Sequence, residues 1–98
     1  MVKHIIVWKF KDELENKPAR AQEIKTALEG LVGVIDGLVE MHIHIQPLPS
    51  SSGDVSMDST FESEAALKAY ATHPAHVKIA DGLVRPAMQA RLAFDYEV

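Results

Sequence analysis

The sequence predicts an α+β protein in which four strands form an antiparallel sheet and the helices cover one face of it. Four short stretches rich in β-branched and aromatic residues alternate with period two, as half-buried strands do. The stretches after the first and third strands carry apolar residues three and four positions apart, which is the helical period. The predicted order is therefore strand, helix, strand, strand, helix, strand.

The first strand is predicted over Val2 to Phe10 and is apolar on both faces at its centre. A strand with one face in water should alternate cleanly, so Ile5 and Val7 require a second burial surface, and self-association is the simplest source of one. One face carries His4, Ile6, Trp8 and Phe10, and the other carries Lys3, Ile5, Val7 and Lys9.

The first helix should begin at Pro18, since proline suits the first helical position, and should run to about Leu31. Gly30 and Gly33 are expected to end this helix. The apolar stripe that predicts its buried side consists of Ala21, Ile24, Ala27, Leu28 and Leu31.

The second and third strands are predicted over Leu38 to Ile45 and Asp54 to Phe61, separated by a loop rich in proline, serine and glycine. The predicted apolar face of the second strand consists of Val39, Met41, Ile43 and Ile45, against Glu40, His42 and His44. The third strand places Val55, Met57, Ser59 and Phe61 on one side.

The second helical region is predicted to consist of two pieces. Ser63 is a good N-cap for the first piece, and His73-Pro74 breaks it because a residue before proline is disfavoured in the α region. Pro74 then begins a new helix that runs toward Pro86 and Met88. A last strand follows over Arg91 to Val98, with one face formed by Leu92, Phe94, Tyr96 and Val98.

This βαββαβ order is the ferredoxin-like plan, a four-stranded antiparallel sheet with helices on one face. The plan leaves the other face of the sheet bare. Two such sheets packed face to face would bury both apolar sides of the first strand, so the sequence predicts a homodimer, a dimeric α/β barrel. The 98 residues, 1–98, are expected to form a single domain.

Composition excludes several classes of function. The net charge is −4 and the ten Lys and Arg residues are scattered, which argues against nucleic acid as a partner. The chain has no cysteine, so disulfides and thiolate metal sites are absent. No apolar run approaches the length of a membrane span or a secretory leader, so no membrane partner is expected and a cytoplasmic location is the default.

Four segments together resemble the Dabb family, the stress-responsive dimeric α/β-barrel proteins. They are the opening VKHIIVWKFK, the TFES at Thr60 to Ser63, the YATHPAHV at Tyr70 to Val77 and the closing FDY. The resemblance extends over essentially the whole chain. It implies a ferredoxin-like fold, a homodimer formed through the sheets, and a cavity in each subunit between sheet and helices.

The resemblance also implies candidate catalytic residues. One plant enzyme of the family closes a polyketide-derived chain by a cofactor-free aldol condensation, and the tyrosine and histidine that act there fall on Tyr70 and His76 by the Y-x-x-H-P-x-H pattern. A further cavity histidine of that enzyme corresponds to Val55, and a cavity tyrosine on its first helix has no counterpart. Its substrate is therefore a poor guide to the ligand of this protein.

The residues themselves point to the same place. The break at Pro74 frees Tyr70 and His76 to converge, and His4 faces the same helices from the first strand. An imidazole and a phenol form a workable acid/base pair for enolising a carbonyl compound. We therefore predict Tyr70 and His76 as catalytic, with His4 and Trp8 binding a small apolar or aromatic ligand. The alternative is a structural polar network in a non-enzymatic stress-response dimer.

Other interpretations carry less support. His73 is expected to cap the helix after it or to lie on the surface, and Glu40, His42 and His44 share a strand face as solvated or interface residues more readily than as metal ligands. No metal and no cofactor are predicted, since no nucleotide, phosphate or zinc motif occurs. A heme-degrading or quinone-oxidising monooxygenase is suggested by fold analogy alone.

Overall fold

The computed structural model describes residues 1–98 and contains one four-stranded sheet and three α-helices. The strands are β1 (Val2–Phe10), β2 (Leu38–His44), β3 (Val55–Phe61) and β4 (Met88–Glu97), and the helices are α1 (Lys17–Glu29), α2 (Glu64–Thr72) and α3 (Pro74–Ile79). All neighbouring strands are antiparallel, in the order β2-β3-β1-β4. The predicted ferredoxin-like architecture is confirmed.

The helices cover one face of the sheet, and the period-two patterns decide which residues point at them. The side of β1 that carries His4, Ile6, Trp8 and Phe10 is buried, as is the opposing row of β3. From the other side, α1 contributes the predicted stripe, of which Ala21, Ile24 and Leu28 are buried. Each large apolar side chain removed from water in this way stabilises the fold by about 1.5–3 kcal/mol.

The predicted apolar face of β2 was wrong at one position. Leu38 pairs with Phe61 and Glu40 with Thr60, so a β-bulge lies between Leu38 and Glu40. The extra residue shifts the alternation by one, so that Leu38 and Met41 are both buried while Val39 is 37% exposed. Sequence alternation alone does not reveal where such a residue is inserted.

The break in the second helical region has the predicted form. Ser63 caps α2, its Oγ accepting from the Ala66 amide at 3.1 Å. His73 is extended before Pro74, and its Nδ1 accepts from the Ala75 amide at 3.1 Å, which confirms that His73 caps the next helix. The helix is therefore interrupted at His73, and the chain continues as α3 from Pro74.

The segment between α3 and the last strand differs from the prediction. A π-helical turn over Ala80–Val84 and a 3₁₀ turn over Arg85–Ala87 replace the end of a regular helix. The strand β4 then begins at Met88, three residues before the predicted start at Arg91, because Met88 already pairs with Phe10 across a register shift. Residues 88–90 therefore belong to the edge strand of the sheet.

The other face of the sheet is uncovered and largely apolar along β1 and β4. Leu92 is 76% and Phe94 69% exposed, and both lie beside the row of β1 that contains Ile5 and Val7. Toward β3 the same face is polar, where Lys3 Nζ lies 2.6 Å from Asp58 Oδ1. We call this surface, formed by β1 to β4 on the side away from the helices, the open face. No helix has the length and apolar character needed to span a membrane.

Candidate functional site

A cavity of about 980 Å³ lies between the sheet and helices α2 and α3. Its walls include all four side chains that the sequence suggested: His4 and Trp8 from β1, Tyr70 from α2 and His76 from α3. It reaches the edge strand β4, whose helix-facing residues form one side of it. The volume is in the range of small-molecule sites in proteins.

Tyr70 is the most buried polar side chain of the cavity wall. Its residue is 3% exposed, and its ring packs edge-on against Phe61 with centroids 4.9 Å apart. Its hydroxyl forms no hydrogen bond within the chain, and the oxygen is not fully buried, so it is accessible from the cavity that Tyr70 lines. Burial raises the pKa of Tyr70 above its ordinary value, against a lowering effect of the Arg91 charge, so the phenol keeps its proton at neutral pH.

His76 lies against the ring of Tyr70. The two centroids are 4.1 Å apart and the planes are inclined by 31°. Loss of solvation lowers the pKa of His76, and the charge of Arg85 lowers it further. The contact of Nδ1 with the Ala71 carbonyl oxygen acts in the opposite direction and raises the pKa. A carbonyl oxygen only accepts, so this 3.4 Å contact favours hydrogen on Nδ1 and leaves the Nε2 lone pair free.

His4 is held by an acidic residue of the neighbouring strand. The β1–β4 register places Asp95 directly opposite His4, and the Asp95 carboxylate pairs with His4 Nδ1. An ionised carboxylate only accepts, so Nδ1 carries the hydrogen and Nε2 has no partner within the chain. The backbone beneath is fixed as well, because Ser59 Oγ donates to the His4 carbonyl oxygen at 2.7 Å.

The sequence analysis did not predict Asp95 or Arg91, two of the three charged residues of β4 that line the cavity, nor the third, Glu97. A signal was present, because Leu92, Phe94 and Tyr96 occupy one face of the strand and Arg91, Ala93 and Asp95 must then occupy the other. The pattern does not say which face meets the helices. Only the pairing of β4 with β1 places Asp95 opposite His4 and Arg91 opposite Trp8.

The acidic and histidine residues of β2 lie elsewhere. Glu40, His42 and His44 are exposed on the open face, and His42 Nε2 is 3.9 Å from Glu40 Oε2. No group of three His, Asp or Glu side chains is arranged to hold a metal ion. These residues take no part in the cavity.

The fold and the cavity define a class of small ferredoxin-like proteins in which a sheet and its helices enclose a pocket lined by tyrosine and histidine. The chain belongs to the stress responsive A/B barrel domain family, Dabb, whose model matches residues 2–98.

Two curated proteins and one solved structure illustrate the similarity. An Arabidopsis thaliana stress-response A/B barrel domain-containing protein is 30% identical over 98% of this chain and 88% of its own. Olivetolic acid cyclase of Cannabis sativa is 33% identical over 97% of this chain and 94% of its own. A dimeric ferredoxin-like protein of unknown function from Bacteroides fragilis is 28% identical, with a TM-score of 0.90 over 99% of this chain and 95% of its own.

Proposed function

We propose that the cavity binds a small, largely apolar carbonyl or aromatic compound and promotes cofactor-free acid/base chemistry on it. The observation that carries the proposal is the contact of Tyr70 with His76, whose rings lie 4.1 Å apart on the cavity wall. Burial moves their pKa values in opposite directions, which leaves a protonated phenol beside a neutral imidazole at pH 7. Pairs of this kind serve as acid and base in known enzymes.

The two groups have distinct roles in an enolisation. Nε2 of His76 takes the proton next to the carbonyl carbon, and the Tyr70 hydroxyl donates a hydrogen bond to the oxygen as negative charge develops there. Asp95 acts as a positioning residue, because its pairing with Nδ1 fixes the orientation of the His4 ring. His4 Nε2 then orients the carbonyl compound, and Trp8 forms an apolar wall. The 33% identity to olivetolic acid cyclase supports this class of chemistry and leaves the compound open.

Exchange of a carbonyl compound's α-hydrogen in D₂O tests the proposal without knowledge of the natural substrate. We expect the protein to accelerate deuterium uptake by phenylacetone, followed by proton NMR. His76→Gln and Tyr70→Phe should each reduce the protein-dependent rate by about 10²–10⁴-fold. Glu23→Gln, which changes an exposed side chain of α1 outside both the cavity and the open face, is the control and should leave the rate unchanged. Equal rates for all four proteins would refute the catalytic roles.

A non-enzymatic structural dimer is the second candidate function. The packing of Tyr70 between Phe61 and His76 favours it, because such aromatic contacts stabilise a fold without any ligand. This candidate predicts no exchange above the background rate. It also predicts that substitutions at the cavity wall change the melting temperature and nothing else.

The chain is further proposed to form a homodimer through the open face. The exposed side chains of Leu92, Phe94 and Val7 form an apolar surface that a second copy would cover. The dimeric state of the Bacteroides fragilis protein supports this assembly. The cavity lies on the opposite side of the sheet, so each subunit keeps its own site.

A further inference from the structure

Arg91 is a cavity residue to which the chemistry above assigns no role. Its position opposite Trp8 puts it on the helix-facing side of β4, where it lines the cavity. Its guanidinium forms no hydrogen bond or ion pair within the chain. The other arginine of the cavity wall, Arg85, is bound to Asp81 through the i,i+4 pair. Arg91 therefore keeps all five of its N–H donors available.

The acidic groups of the cavity do not neutralise Arg91. Asp95 lies on the same side of β4 but pairs with His4, and an extended strand separates positions four apart by about 13 Å. Only Ala93, which has a small side chain, stands between them on that side of β4. Glu64 and Glu97 also line the cavity, and neither forms an ion pair with Arg91. One end of the cavity thus presents a guanidinium group that forms an ion pair with none of these carboxylates.

The charge of Arg91 reaches the proposed reacting groups. It lowers the pKa of Tyr70, against the larger effect of burial, and it adds to the lowering of the pKa of His76 that burial causes. A group bound by Arg91 would therefore lie within the same space as Tyr70 and His76, next to Trp8 on the neighbouring strand.

We propose that Arg91 binds a carboxylate of the ligand, so that the substrate class is a small carbonyl compound with an apolar aromatic or unsaturated body and one carboxylate group. The inference rests on the proposed function and specifies its substrate. A guanidinium matches a carboxylate with two parallel hydrogen bonds, and this geometry fixes the direction in which a ligand lies. The apolar body would rest on Trp8, with the carboxylate at β4.

A matched pair of probes separates charge from shape. Cinnamate and cinnamamide have the same body and differ in the carboxylate. We would titrate each into the ¹⁵N-labelled protein and follow the amide signals of β1, β4, α2 and α3. Cinnamate should bind about 10–100-fold more tightly than cinnamamide, as expected for a charge-assisted bidentate contact. The cavity amides should carry the largest shifts.

Two variants assign that preference to one residue. Arg91→Gln, a change on an exposed edge strand, should reduce the preference for cinnamate to within about twofold, while Arg91→Lys should retain part of it. Arg85→Gln is the matched control, since Arg85 lines the same cavity but is already paired. It should keep the preference.

The titrations test separately whether Arg91 binds the carboxylate and whether the cavity binds a ligand at all. Equal affinities of the two probes at the cavity amides, or a preference that persists in Arg91→Gln, would overturn the carboxylate assignment and leave the cavity as a ligand site. Failure of both probes to shift any cavity amide would count against ligand binding itself, and the role of Arg91 would fall with it.

Discussion

Tyr70 and His76 face each other across the helix break, with ring centroids 4.1 Å apart. On one continuous helix, residues six positions apart point about 120° away from each other. The extended conformation of His73 and the new start at Pro74 remove that separation. The contact between Tyr70 and His76 therefore depends on the helix break, which is formed by His73 and Pro74.

Tyr70→Phe should reduce the rate of α-hydrogen exchange and leave the free energy of unfolding nearly unchanged. The hydroxyl has no hydrogen-bond partner in the chain, so its removal leaves no buried group unsatisfied, and the ring still packs on Phe61. We expect the free energy of unfolding in urea to change by less than about 0.5 kcal/mol. A loss of about 1–3 kcal/mol would instead indicate a structural hydrogen bond and favour the non-enzymatic dimer.

The burial of His76 should make stability depend on pH. Desolvation lowers the pKa of His76 in the folded protein below the ordinary 6.5, so the unfolded chain binds the extra proton more readily. The free energy of unfolding should therefore fall as the pH drops below about 6.5 and should continue to fall until the folded pKa is passed.

His76→Gln provides the test of that slope. The variant should lose the part of the pH dependence that His76 contributes. A proton NMR titration of the His76 ring measures the same pKa directly. A midpoint at or above 6.5 would contradict the predicted direction.

Asp95 should set the tautomer of His4. In the wild-type protein the neutral ring should carry its hydrogen on Nδ1, because that nitrogen faces the carboxylate. Removal of the carboxylate in Asp95→Ala should move the hydrogen toward Nε2, which ring ¹⁵N shifts report. Asp58→Ala, which removes a carboxylate from the open face, is the control. The same tautomer in wild type and Asp95→Ala would exclude the positioning role.

A charge on the open face should prevent dimerisation. Phe94→Asp would bury an unpaired carboxylate in the proposed interface, and we expect the dimer to dissociate at least about 100-fold more readily. Val34→Asp is the matched control, since Val34 is 60% exposed in the loop after α1. Sedimentation equilibrium distinguishes the two. A wild-type monomer at micromolar concentration, or a Phe94→Asp dimer of unchanged affinity, would contradict the interface.

The order of elements could be predicted from the sequence because each one carries its own local signal. Pro18 and Pro74 mark helix starts, Ser63 marks a cap, and the alternation of β1 and β3 shows which residues face the helices. These signals arise within a few residues of chain. The ferredoxin-like order follows from them without any long-range information.

The remaining features depend on contacts between distant segments. The bulge at Val39 is defined by the pairing of β2 with β3, and the early start of β4 is defined by the pairing of Met88 with Phe10. Asp95 and Arg91 reach the cavity for the same reason. A single sequence does not state the register of β4 on β1, so the charged residues that β4 contributes to the site were not predicted.

A crystal structure of the protein soaked with cinnamate and, separately, with phenylacetone tests directly whether the cavity binds such compounds. We expect both compounds to lie in the cavity with the ring against Trp8. The phenylacetone carbonyl oxygen should lie within hydrogen-bond distance of the Tyr70 hydroxyl, and the cinnamate carboxylate should lie on Arg91. The same soak of Ala71→Phe, which fills part of the cavity wall, should show no bound compound. Compounds found only outside the cavity, or in the same place in Ala71→Phe, would contradict this expectation.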